Sequence, residues 1–195
     1  MSTESVRSEV LTLVEAAVTN PNLRRHMVAT EAVMRAVAAR LGADQDTWGL
    51  AGLAHDLDAE TTSEDSTRHG AQAAEQLALA GLPDELTHAI AAHNPATGVQ
   101  AEAALDVALI ASDQVTGLVT AATLVRPDKS LAGVKVKSLR KRMRESAFAR
   151  GVDRAAIERC EEIDIPLDEF LTLALEAMQG TAAELGLDGA AAPSS

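Results

Sequence analysis

The sequence contains little cysteine and few aromatic residues. Its 195 residues include one Cys, two Phe, one Trp and no Tyr. A single cysteine excludes an intramolecular disulfide and a thiolate-rich metal site, so any metal has to be held by histidine and carboxylate. It also favours a cytoplasmic location, which we expect for this protein. Because alternating β-branched and aromatic residues are rare, the sequence predicts an all-α protein.

Basic residues are outnumbered by acidic ones. The chain has 29 Asp and Glu against 17 Lys and Arg, and its formal net charge is −12. This charge argues against a general nucleic-acid-binding surface, which needs a positive field. One basic run, KVKSLRKRMR at 135–144, breaks the pattern. It is either a solvated helix face or a segment that contacts phosphate.

Long uninterrupted apolar runs and a signal-peptide pattern are also missing. The start, MSTESVRSEV, has no basic end and no continuous apolar core, and later apolar stretches are cut by Asp106 and Asp113. We therefore expect no membrane-spanning segment. We expect one domain over residues 1–187 and a flexible tail at 188–195. Glycine and proline punctuation predicts helices near 5–19, 23–41, 46–56, 67–79, 84–93, 102–125, 137–149, 153–163 and 167–185.

The stretch GLAHDLDAE at 52–60 places His55 and Asp56 side by side on an otherwise apolar helix. Buried polar neighbours cost free energy unless something binds them. His26 and Asp113 lie on the apolar stripes of two further predicted helices, so three helices direct a polar side chain inward. A lone inward histidine is usually a hydrogen-bonded core residue, but histidines and carboxylates that converge are typical of a divalent-cation site.

Five short motifs occur in a fixed order along the chain. They read RRHMVATEAVM, GLAHDLD, TRHG, AAHN and ASDQVTGL. This series resembles the HD-domain metal-dependent phosphohydrolase superfamily, which is named for its His-Asp doublet. The resemblance implies an HD-domain-like helical bundle with a metal site in its core. The segment that follows, from TAATLVRPDK to SAFARGVDR, resembles the tail of a small bacterial subgroup of predicted HD hydrolases.

The resemblance also implies a ligand set. The four core ligands of the family correspond to His26, His55, Asp56 and Asp113. His69 and His93 match the additional histidines of family members that hold a second metal, with Asp56 as the bridge. The implied cofactor is one or two divalent transition-metal ions, among Mn, Fe, Co, Ni and Zn. His88 matches no family position, and we expect it at the surface.

The implied activity is hydrolysis of a phosphate monoester or diester of a small metabolite or nucleotide by a metal-activated water. Asp58, Glu60 and Glu31 are candidates to move the proton or orient a ligand, or else are ordinary solvated or capping acids. An anionic substrate needs local positive charge. The candidate cations are Arg68, Arg126, Lys129, Lys137 and Lys141.

Two other functions remain open at this point. Some HD-type proteins use the same six ligands as a mixed-valence di-iron oxygenase, and the ligand list does not separate the two reactions. The second is a non-catalytic, metal-stabilised module that binds a small ligand. The sequence leaves the oligomeric state and the substrate open as well.

Overall fold

The computed structural model describes residues 3–189, and within this range the regular structure is helical and contains no strand. The prediction of an all-α protein is confirmed. Short 3-10 helices lie at Pro95–Thr97, Leu131–Gly133 and Arg159–Ile163. The α-helices are α1 (Thr3–Ala17), α2 (Pro21–Leu41), α3 (Gln45–Ala54), α4 (Ala71–Leu79), α5 (Asp84–Ala92), α6 (Ala104–Leu124), α7 (Val136–Met143), α8 (Arg154–Glu158), α9 (Leu167–Gly180) and α10 (Ala182–Leu185).

Helices α2 and α3 pack against each other more extensively than any other pair of helices in the described range. The side chain of Asn20 caps α2, and that of Asp44 accepts the first free N–H groups of α3. The two helices approach closely because Gly52 lacks a side chain. A Cβ at Gly52 would lie 2.8 Å from the backbone oxygen of Thr30. This approach brings His26 of α2 beside the end of α3.

Helix α6 runs through the core and packs against α2, α5 and α9. By length and composition alone it is apolar enough to cross a membrane, but 67% of its most apolar 18-residue window is buried inside the fold. The fully buried Leu109 and Leu118 lie on it, and Phe170 of α9 is also fully buried. Each such side chain contributes about 1.5–3 kcal/mol by burial. The core therefore fixes the position of α6 relative to α2.

The segment between α3 and α4 differs from the sequence prediction. The third helix ends at Ala54, just before the His-Asp doublet, and the fourth begins at Ala71 instead of residue 67. Residues 55–70 form a series of turns. Gly70 has a φ of +85°, which residues with a side chain rarely adopt, so no regular helix passes through it. The doublet and His69 consequently lie on turns.

The predicted C-terminal helices are shorter or divided. The predicted helix at 137–149 ends at Met143, and Ala149 has a positive φ of 43°. The predicted 153–163 helix continues from α8 as a 3-10 helix, and the last one divides at Thr181 into α9 and α10. Of the predicted tail, residues 190–195 lie outside the described residues. Asp188 is described and pairs with Ser130 in an isolated bridge.

Candidate metal centre

Four of the proposed ligands meet where α2, α6 and the end of α3 converge. Nε2 of His26 lies 2.9 Å from Oδ1 of Asp113 and 3.3 Å from Nε2 of His55. Nε2 of His55 lies 3.4 Å from Oδ1 of Asp56 and 3.6 Å from Oδ1 of Asp113. Ligand atoms around one cation with bonds of about 2.1 Å are separated by roughly 3–3.5 Å. These separations are close to those of a shared ion.

A second group of ligand atoms lies against the same aspartate. Oδ1 of Asp56 is 3.3 Å from Nε2 of His69 and 3.7 Å from Nε2 of His93. The two imidazole nitrogens are 3.2 Å apart. Asp56 thus contacts both groups, and with Asp113 beside His26 and His55 the structure brings together all six side chains that the resemblance implied as ligands.

Backbone carbonyl groups fix the rings of His55 and His93. Nδ1 of His55 donates to the carbonyl oxygen of Gly52 at 2.9 Å, and Nδ1 of His93 donates to that of Ile90 at 2.6 Å. A carbonyl oxygen only accepts, so Nδ1 carries the proton in both rings. The lone pair of each Nε2 then points towards Asp56.

The rings of His69 and His26 are held by side chains. Nδ1 of His69 donates to Oδ1 of Asp58 at 2.9 Å. The Thr116 hydroxyl donates to the carbonyl oxygen of Asp113 at 2.7 Å, which leaves it to accept from Nδ1 of His26 at 3.2 Å. Partners of this kind orient metal-bound histidines and raise their basicity.

The arrangement fits a divalent cation. When the four rings are neutral and Nδ1 holds the proton, four Nε2 lone pairs converge on two carboxylates, and neither close nitrogen pair has a proton to share. Lone pairs that face each other repel unless a positive charge lies between them. Imidazole nitrogen and carboxylate oxygen together suit Mn, Fe, Co, Ni and Zn.

The charges of the cluster are coupled. Burial alone would raise the pKa of Asp56 and of Asp113, but the surrounding imidazoles hold the pKa of both carboxyls below its ordinary value. Hydrogen bonds that the ring of His69 donates to Asp56 and Asp58 raise its pKa to about 10, against the opposing effect of burial. The two carboxylates are therefore ionised at neutral pH, which is the form that binds a cation.

The three candidate acids lie outside the ligand cluster. Asp58, which is 2% exposed, holds His69 and caps α4. Glu60 accepts from the backbone N–H groups of Thr19 and Asn20. Glu31 binds the guanidinium groups of Arg7 and Arg35. In this structure, Asp58 supports a ligand, whereas the carboxylates of Glu60 and Glu31 hold neighbouring segments together.

The five candidate cations also lie away from the ligand atoms. Arg68 is exposed and donates to Gln72, and Lys129 is exposed in the turn after α6. Arg126, Lys137 and Lys141 line a groove beside the C-terminal end of α6. Ala122 of that groove lies nine residues beyond Asp113 on α6, which is about 13 Å along the helix. Because α7 packs on this far end of α6, its lysines do not reach the cluster.

Two clefts open onto the cluster instead, and each contains an arginine that the sequence did not single out. A cleft of about 510 Å³ at His26 includes Arg25, and one of about 380 Å³ at His93 and Asp113 includes Arg159. Arg25 precedes His26 directly, and this adjacency was the available signal. Nothing local in the sequence identifies Arg159, since it reaches the cleft only through the packing of the 3-10 helix Arg159–Ile163 on α6.

Gln114 was also missed by the sequence analysis. Its Nε2 donates to Oδ2 of Asp113 at 2.6 Å, and its Oε1 accepts from the backbone N–H of Asp153 at 2.8 Å. Gln114 thereby ties the ligand carboxylate to the start of α8.

Comparison with known protein families agrees with this geometry. Residues 23–115 match the family model of the HD domain, and this range contains all six candidate ligands. No curated protein and no solved structure matches the chain. HD domains are in general metal-dependent phosphohydrolases. The matched range, the ordered motifs and the all-helical fold together support membership of the HD-domain superfamily, carried by residues 23–115.

Proposed function

We propose that the protein is a metal-dependent phosphohydrolase that cleaves a phosphate ester of a small metabolite or nucleotide. One observation carries the proposal: the carboxylate of Asp56 lies within 3.8 Å of four imidazole Nε2 atoms that form two groups. An aspartate shared in this way is suited to bridge two cations. We therefore propose two ions, one on His26, His55, Asp56 and Asp113, and the other on Asp56, His69 and His93.

A divalent cation at such a site lowers the pKa of water from about 15.7 towards about 7 and draws charge from a phosphoryl oxygen. The residues of this chain would hold the ions and orient their ligands. Asp58 and Thr116 hold the rings of His69 and His26 in the orientation that directs Nε2 inward. Gln114 fixes Asp113, so that the ligand carboxylates need not reorganise on binding.

The two clefts suggest how the substrate is held. The cleft at His26 also includes Asn22, Thr120, Leu124 and Leu187, which offer both polar groups and apolar contact. Its volume falls in the range of small-molecule sites. Among the described residues that line it, Arg25 is the cation. We propose that Arg25 contacts the phosphate and that the leucines contact the organic group.

The decisive experiment is elemental analysis of the purified protein combined with a screen for phosphate release from monoesters and diesters. We expect bound transition metal, phosphate release, and loss of both in Asp56→Ala, while circular dichroism still shows the helical fold. Asp84→Ala removes an exposed aspartate of α5 and serves as the matched control. Metal content that is unchanged in Asp56→Ala would reject the assignment.

The same purified protein separates the other functions. Oxygen uptake with an iron-dependent optical spectrum, and no phosphate release, would favour the di-iron oxygenase. Metal-dependent stability with no turnover of any substrate would favour a binding module. Either result would overturn the proposed hydrolase.

A further inference from the structure

A third cleft, larger than the two at the ligand cluster, is strongly basic. This basic groove, of about 890 Å³, lies between the C-terminal end of α6, the turn that follows it, and α7. Its cations are Arg126, Lys135 and five Lys or Arg residues between 137 and 144, and no carboxylate is among the described residues that line it. Seven of the 17 basic residues of a chain with net charge −12 are thus gathered at one place.

Only part of this positive charge is neutralised by neighbours. Arg126 forms a two-point ion pair with Asp128, Arg140 pairs with Asp168, and Arg142 and Lys141 share Glu145. The remaining three make no ion pair or side-chain hydrogen bond to the residues that the structure describes, and all three are exposed. These unpaired cations are Lys135, Lys137 and Arg144.

Helix stability does not account for the arrangement. Cations in the last turn of α7, such as Arg140 and Lys141, favour the helix dipole, but Lys135 and Lys137 lie at its N-terminal end, where positive charge opposes it. Lys137 and Lys141 are also a like-charge pair one turn apart, which destabilises a helix. An anion bound between these side chains would remove both penalties.

The groove also has an apolar floor, formed by Val125, Pro127 and Val134, and the side chain of one of its cations, Arg126, is held in place. These three apolar residues lie among the cations, and Val125 is 61% exposed. The guanidinium of Arg126 lies against Gly133, where an added Cβ would fall only 1.9 Å from Nη2. The groove therefore offers one oriented guanidinium, several exposed cations and an apolar surface.

We propose that the basic groove binds a nucleoside polyphosphate, at a site separate from the metal centre. The cations would contact the phosphates, and the apolar floor would contact the nucleoside. The volume suits a small molecule, and the acidic remainder of the protein repels extended polyanions such as nucleic acid. The groove and the cleft at His26 both use the last turns of α6 but open on different faces, through Val125 and Leu124 respectively.

The test is equilibrium dialysis with labelled ATP, on the wild-type chain and on Asp56→Ala, which disables the metal centre. We expect about one ATP per chain and the same affinity in both proteins. Lys137→Glu should weaken binding by roughly tenfold or more, because it removes one charge-assisted contact and adds a repulsion. Arg150→Glu makes the same charge change at an exposed arginine outside the groove and should leave the affinity unchanged.

A variant without a charge change provides a second measurement. Gly133→Ala forces the Arg126 guanidinium to move and should weaken ATP binding with little change in salt dependence. Binding that disappears in Asp56→Ala but survives in Lys137→Glu would overturn the proposal, since ATP would then lie at the metal centre. Anionic vesicles or duplex DNA binding more tightly than ATP, through the same lysine, would also overturn it. Since Asp56→Ala lacks the metal centre, the result does not depend on the proposed hydrolase.

Discussion

Nδ1 of His69 donates a hydrogen bond of 2.9 Å to Oδ1 of Asp58, and the same carboxylate accepts the backbone N–H groups of Gly70 and Ala73. One buried carboxylate thus fastens the turns at 55–70 to the start of α4 and directs Nε2 of His69 towards Asp56. Asp58 lies two residues after the aspartate of the doublet. The position of His69 in the second group of candidate ligands therefore depends on Asp58, which is not itself a candidate ligand.

Asp58→Ala is expected to reduce both stability and metal binding. The buried N–H groups of Gly70 and Ala73 would lose their acceptor, which costs about 1–3 kcal/mol in the free energy of unfolding. His69 would lose its orienting partner, so affinity for the second ion should fall about 10- to 100-fold. Urea unfolding and metal titration measure the two effects. Asp65→Ala removes an exposed capping carboxylate of the same segment and should change metal affinity little.

The stability of the metal-free protein should decrease as the solution becomes alkaline. Hydrogen bonds to Asp56 and Asp58 raise the pKa of His69 to about 10, above its value of about 6.5 in an unfolded chain. The interaction of the protonated ring with the two carboxylates stabilises the fold fully below about pH 6.5. This stabilisation is lost as the pH rises towards about 10. Unfolding of the chelated protein across this range checks the sign. His69→Gln should flatten the profile, and an unchanged profile would contradict the assignment.

Metal stoichiometry should separate the two groups of histidines. His69→Ala or His93→Ala should lower the metal content from about two ions per chain to about one, because these side chains serve only the second ion of a paired site. Elemental analysis on protein of known concentration measures this. His88→Ala is the matched control, since this ring is 38% exposed and contacts Asp106 instead of the cluster. A stoichiometry that does not change in either variant would assign His69 and His93 a structural role.

The close approach of α2 and α3 should tolerate no added methyl group. Gly52→Ala places a Cβ 2.8 Å from backbone atoms of Thr30, which cannot move aside as a side chain would. We expect a loss of about 1–3 kcal/mol in the free energy of unfolding and, since His26 and His55 move apart, weaker metal binding. Gly180→Ala, at the end of α9 with open space around it, should be neutral or stabilising. Thermal unfolding of both variants decides between these outcomes.

Residue chemistry and local pattern were enough to predict the helical class, and the resemblance of the ordered motifs to the HD-domain superfamily implied the six candidate ligands. The end of α2 at Gly42 and the start of α5 after Pro83 could be predicted from the sequence, because a left-handed glycine and a proline act on their immediate neighbours. His55 and Asp56 could be recognised because the doublet on an apolar segment is accompanied by His26 upstream and Asp113 downstream, each on a predicted apolar stripe. These features depend on residue type and short spacing, which the sequence states directly.

The tertiary structure alone decided which partners those residues meet. Helical periodicity shows that His26 faces inward, but only the packing of α2 on α6 brings it to Asp113 and Thr116. The arginines that line the two clefts at the cluster are Arg25 and Arg159, the latter paired with Glu162, while Lys137 lies in the basic groove. Periodicity fixes the direction of a side chain on its own helix, whereas its neighbours depend on how distant helices pack, and no local pattern carries that information.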